Sequence, residues 1–95
     1  MNAQSEVIRS QGWLATQIDD DLLMMHEQSD AYLNLNGVGA RIWRMLEDSH
    51  RIDEICRKLA QEYRIEAATA GPQVLAFLAQ LHAQKAINVL PVSLR

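Results

Sequence analysis

Residues Ala31-Tyr-Leu-Asn-Leu-Asn-Gly-Val-Gly-Ala-Arg-Ile-Trp-Arg-Met-Leu46 decide how this chain folds. Leu33 and Leu35 alternate with Tyr32 and Asn34, the period-2 pattern of a half-buried strand. Asn36 stands at the junction with an amphipathic run. Asparagine is a favoured helix N-cap because its side-chain oxygen accepts from the orphan N–H groups of the first turn. Leu35 and Ala40 take the two positions of a hydrophobic staple. A strand therefore passes directly into a helix. At a sheet edge beside a helix, such a strand is built to accept another peptide as an extra strand.

Upstream, Trp13–Ile18 reads as one strand and Leu22–Glu27 as a second. The turns Asp19–Asp21 and Gln28–Asp30 are short enough to join them to Ala31–Leu35 as an antiparallel three-stranded meander. The aspartate run suits a solvated turn, since a calcium loop needs further oxygen ligands at set spacing. Residues 1–11 lack periodicity and read as a flexible N-terminal lead-in to a single domain over 12–95.

Downstream, Val38, Ile42, Met45 and Leu46 stripe a first helix over about residues 38–47. Ile52, Ile55, Cys56, Leu59, Ala60 and Tyr63 repeat with helical period on a second, whose first-turn Asp53 and Glu54 complement the helix dipole. Val74, Phe77, Leu78 and Leu81 write a third. Gly71-Pro72 fits its start, because proline at the first helical position forfeits no bond. Ala67–Ala70 then form a separate turn, and Ile87–Leu90 a short closing strand. The fold class is α+β, winged-helix-like, with a three-stranded antiparallel sheet followed by three helices that cover one sheet face.

The composition narrows the function. Ninety-five residues at 48% hydrophobic content bury a core without staples. The lone Cys56 excludes an intrachain disulfide and suits a reducing cytoplasm. No apolar run reaches the length of a membrane span, and the N-terminus is too polar for a secretory signal. Residues 1–36 hold one base, Arg9, against six acids; the remainder holds eight bases against six acids, for a total of −3. His26, His50 and His82 sit on different elements without ligand spacing, and Cys56 lies on a core stripe. Gly37-Val-Gly39 lacks a phosphate-loop pattern. No catalytic residue, metal or cofactor is expected. A winged-helix DNA-binding regulator is the alternative reading of the fold. Its third helix, however, offers only Gln73, Gln80, His82, Gln84 and Lys85, too few cations for phosphate contacts.

Strand addition explains more. Ala31–Leu35 carries no lysine, proline or bulge to repel a second strand, and Leu75, Ala79 and His82 form a second, weaker apolar stripe on the third helix. Ordering a bound segment costs about 2–5 kcal/mol, and each buried Leu-sized anchor contributes about 1.5–3 kcal/mol. Two or three anchors leave roughly micromolar affinity.

Tyr32-Leu-Asn-Leu-Asn36, Ala40-Arg-Ile-Trp43, Ile52-Asp-Glu-Ile55 with Leu59 and Tyr63, and Val74-Leu-Ala-Phe-Leu78 with Leu81 together resemble the PqqD-like family over about residues 13–90. The resemblance implies a leader-peptide recognition element for ribosomally synthesised, modified peptides, most like the stand-alone lasso-peptide version. It places the bound leader along Ala31, Tyr32, Leu33, Asn34 and Leu35, with Leu75, Leu78, Ala79 and His82 as the facing helix wall. The implied partners are a precursor leader peptide and a maturation enzyme such as a leader peptidase, with no nucleic acid or membrane and the oligomeric state left open. The chain departs from the family pattern at Gly37 and Gly39, at Gln73 where aspartate is common, at Ala86 where a helix-ending glycine is usual, and at Pro72.

Overall fold

The computed structural model describes residues 1–91; residues 92–95 of the expected domain lie outside them. Nine elements follow one another: β1 (Glu6–Arg9), β2 (Trp13–Ile18), β3 (Asp21–His26), β4 (Tyr32–Leu35), α1 (Gly37–Met45), β5 (His50–Arg51), α2 (Ile52–Tyr63), α3 (Ala67–Ala83) and β6 (Ile87–Val89). The expected meander is present as an antiparallel sheet of order β2-β3-β4, and the three helices follow it. A second small antiparallel sheet, of order β5-β1-β6, closes the domain.

In the meander, Trp13 pairs with His26, Met24 with Leu33 and Leu22 with Leu35. This register puts Leu22, Met24, Leu33 and Leu35 on one face. Leu22, Met24 and Leu35 are buried, and Leu33 packs against them. The opposite face presents Leu14, Ile18, Leu23, Met25 and Tyr32, all exposed. The turn ahead of β4 is pinned by His26, whose Nδ1 accepts from the Gln28 N–H (3.2 Å) and the Ser29 N–H (3.3 Å).

The N-terminal lead-in is corrected by the structure. Glu6–Arg9 form the central strand of the second sheet, and Val7 is fully buried. The residues before it cap α2. The Ser5 carbonyl accepts from Ile52 N–H (3.0 Å) and the Ala3 carbonyl from Asp53 N–H (2.9 Å). Arg51, a poor N-cap by residue type, is thus relieved of that role. Its own N–H donates to the Glu54 carboxylate at 3.2 Å.

The third helix is also corrected. α3 runs unbroken from Ala67 to Ala83 with Pro72 inside it, so Ala67–Ala70 are its first turn and not a separate one. The Glu66 carbonyl receives Thr69 and Ala70 N–H, both at 3.0 Å. Proline removes one bond, the one its N–H would have given Ala68. The clash of its ring with the preceding residue is relaxed because that residue is Gly71, which has no Cβ. The helix ends with the 2.8 Å bond from Ala86 N–H to the Leu81 carbonyl, and Lys85 takes the left-handed position at φ 59°.

The core joins both sheets to all three helices. Trp43, Met24, Ile42, Leu46, Ile52, Ile55, Leu59, Leu78, Leu81, Ile87 and Val7 are its largest fully buried side chains.

Candidate functional site

β4 is an edge. It pairs with β3 on one side, and no strand of the described residues lies on the other. The direction of its main-chain groups follows from one bond. The His26 N–H donates to the Ala31 carbonyl at 2.9 Å, which makes that opposed couple a hydrogen-bonded pair. Such pairs alternate along an antiparallel ladder. Leu33 and Leu35 therefore bond β3, and Tyr32 and Asn34 aim their N–H and C=O groups at the open edge.

The side chains alternate the other way. Leu35 is buried and Leu33 half-buried on the inner face; Tyr32, 65% exposed, and Asn34 stand on the outer face. Ala31, half-buried, lies just before the strand. All five predicted β4 residues thus lie together along one edge.

Beyond Leu35 the chain enters α1. The Asn36 side chain accepts the Gly39 N–H at 2.9 Å, so the expected cap is present, and Leu35 and Ala40 are buried as the staple requires. At this corner opens a cavity of about 510 Å³. Asn36, Val38, Gly39 and Ile42 line it from α1, Leu59, Tyr63 and Ile65 from α2 and the residues after it, and Ala70, Gln73, Val74 and Phe77 from α3. A two-pronged ion pair ties α1 to α2: Arg41 donates through Nε and Nη2 to the Glu62 carboxylate, the shortest contact being 2.8 Å. Donating to the Glu62 carboxylate raises the Arg41 pKa above its ordinary value.

The helix wall expected from sequence stands apart from this cavity. Leu78 is fully buried in the core, and Leu75 packs half-buried against it. Ala79 and His82 are exposed, and none of Leu75, Leu78, Ala79 and His82 borders the cavity. The side chain that reaches the β4 corner is Phe77. A Cβ placed on Gly39 would meet its ring at 3.1 Å and the Leu35 Cβ at 3.4 Å. Helical geometry puts Leu75 and Ala79 about 200° from Phe77. It puts Gln73, Gln80 and Gln84 on the Phe77 flank, and all three are exposed. At this corner α3 therefore presents the Phe77 ring, with Gln73 beside it in the cavity lining. The sequence signal for it was Gly39, a glycine where another chain segment approaches closely.

The alternative of DNA recognition finds no support in α3, which contains no lysine or arginine between Ala67 and Ala83. Among the described residues no cluster of His, Cys, Asp or Glu is arranged to hold a metal, and no helix is long and apolar enough to cross a membrane. Burial pushes the Cys56 thiol pKa up, which disfavours the thiolate a nucleophile needs.

Residues 21–87 match the family described as Coenzyme PQQ synthesis protein D (PqqD), a span of more than half of the chain. The chain belongs to the PqqD family. Two solved structures share the fold of this PqqD-family chain. One is TbiB1 in complex with the TbiA(beta) leader peptide, at 28% identity and a TM-score of 0.78, covering 90% of this chain and 99% of that one. The other is a lasso peptide synthetase B1 complexed with the leader peptide, at 24% identity and a TM-score of 0.73, covering 90% and 98%. No curated protein sequence matches the chain.

Proposed function

We propose that this PqqD-family chain is a non-catalytic peptide adaptor of the cytoplasm. It binds the leader of a ribosomally made precursor by strand addition to β4 and presents the precursor to a maturation enzyme, a leader peptidase of a lasso-peptide pathway. The observation that carries this reading is the open β4 edge, with the main chains of Tyr32 and Asn34 directed outward and an apolar cavity at the end of the strand. TbiB1, similar over nearly the whole chain, is a leader-peptide complex.

In this reading the leader forms up to four main-chain hydrogen bonds with Tyr32 and Asn34, each worth about 0.5–1.5 kcal/mol net. Those bonds are indifferent to sequence. Selectivity comes from side chains that face inward beside Leu33 and Leu35, against Phe77 and its glutamine neighbours, and from an anchor seated in the cavity. The enzyme docks on the outer sheet face, where Leu14, Leu23, Met25 and Tyr32 are exposed. A leader added to β4 widens that face by one strand, so the enzyme meets adaptor and substrate together and the core peptide is held at high effective concentration.

The test is Asn34→Pro. The Asn34 N–H points away from β3, so proline there leaves the β3–β4 ladder intact and blocks only the open edge. Titration with a labelled leader peptide, the TbiA(beta) leader as first probe, is expected to show roughly tenfold or greater loss of affinity, with an unchanged melting curve. Leu33→Pro, which removes an N–H that β3 uses, is expected to unfold the sheet instead. Full affinity in a folded Asn34→Pro chain would overturn the reading.

A further inference from the structure

The meander has a second open edge. β2 pairs with β3 alone, and its Trp13–Ile18 run is six residues long, without charge, proline or bulge, in unbroken register from Trp13↔His26 to Ile18↔Asp21. A long, uncharged edge is a template for another strand unless something covers it. The Glu27 N–H donates to the Gly12 carbonyl at 2.9 Å, so the Gly12–Glu27 couple is a hydrogen-bonded pair. By alternation Leu14, Thr16 and Ile18 bond β3, and Trp13, Ala15 and Gln17 turn their N–H and C=O groups outward.

We infer that β2 pairs with β2 of a second copy of this chain, antiparallel about a two-fold axis at Ala15. In the one register that uses all three outward residues, Ala15 lies opposite Ala15 of the second copy and Trp13 opposite Gln17, closing six main-chain bonds. Leu14 then opposes Thr16 on the outer face. The smallest side chain of the edge sits at the axis, where the two backbones face each other directly.

The charges at the two ends of the seam fit the same partner. The β2–β3 turn carries Asp19 and Asp20, and Asp21 opens β3. The two-fold register brings that turn against the Trp13 end of the other copy. There the Trp13 indole N–H donates to the Lys85 carbonyl at 3.4 Å, and the exposed Lys85 takes part in none of the ion pairs of the described residues. Each copy thus sets an acidic turn beside a free ammonium, at both ends of the seam. Two six-residue edges bury well under the roughly 800 Å² per partner of a standard interface. The dimer is therefore weak and dissociates on dilution. It forms a six-stranded sheet with β4 at both outer margins, which leaves both leader edges open.

Sedimentation of the full chain over a rising concentration series tests the pairing. A reversible monomer–dimer equilibrium is expected. Ala15→Pro, which removes an edge-directed N–H and leaves the β2–β3 ladder intact, is expected to weaken association roughly tenfold or more. Leader affinity at β4 should stay the same in that variant, which separates this result from the adaptor reading. As a second variant, Ala15→Cys is expected to cross-link across the axis under mild oxidation, since opposed Cα atoms in such a pair lie within disulfide reach. Ile18→Cys, far from its symmetry mate, is expected not to. A chain monomeric at every concentration, an Ala15→Pro chain that dimerises like the parent, or equal cross-linking of both cysteine variants would overturn the inference.

Discussion

Gly39 lies beneath the ring of Phe77, so close that a Cβ on the glycine would stand 3.1 Å from both Cε1 and Cζ. This contact joins the first turn of α1 to the middle of α3 at the corner where β4 ends. It lets the aromatic ring form one wall of the cavity.

Gly39→Ala separates site from fold. Alanine adds up to about 1 kcal/mol of helix propensity over glycine, and the half-buried ring must yield a few tenths of an ångström. These effects oppose each other, so thermal stability should change by less than about 1 kcal/mol. Leader affinity, measured by anisotropy, should fall because the displaced ring narrows the cavity mouth. Phe77→Ala removes the wall and should weaken binding more. Equal affinity in both variants would place the leader elsewhere.

Pro72 is an internal defect of α3. Replacing it with alanine restores the bond to the Ala68 carbonyl and supplies a better helix former, and should stabilise the domain by about 1–3 kcal/mol. Chemical denaturation with an unchanged m-value would record this as a shift of midpoint.

Arg64 and Lys85 hold left-handed backbone, at φ 54° and 59°, just past the ends of α2 and α3. Glycine adopts that conformation without a Cβ penalty. Arg64→Gly is expected to stabilise the domain by about 0.5–1 kcal/mol, read from thermal melts.

Cys56 is buried, and burial raises its thiol pKa; the charge of Asp53 adds to the shift. The folded chain therefore holds the proton more tightly than the unfolded one. Stability should be constant below the ordinary thiol range and decline as pH rises from that range through the raised native value. Native protein should also react with iodoacetamide far more slowly than urea-unfolded protein at the same pH. Equal rates would contradict the burial.

The meander, the Asn36 cap and α2 were legible because each is encoded locally: alternation, one capping side chain, one apolar stripe. β1 was not. Glu6–Arg9 is four residues long with a charge at each end, and its partners are His50–Arg51 and Ile87–Val89, distant in sequence. Pro72 misled for a related reason. The pattern Gly71-Pro72 marks a helix start as naturally as it lets a helix continue, and burial of Ala70 and Val74 on one face decides for continuation. On α3, Phe77 and Leu75 are both apolar and both flank the core stripe, so periodicity alone does not say which side meets β4. The glycine that does say so read as a flaw in α1.

β1 lies between β5 and β6, so Glu6–Arg9 wait until Ile87–Val89 are made before they find their second neighbour. During synthesis the hairpins of the meander emerge complete and need nothing downstream to pair. The small sheet acts as a clasp that shuts only once Ile87–Val89 are available to pair. A chain cut short before Ile87 leaves Val7 without half of its shelter and offers quality-control proteases an open seam.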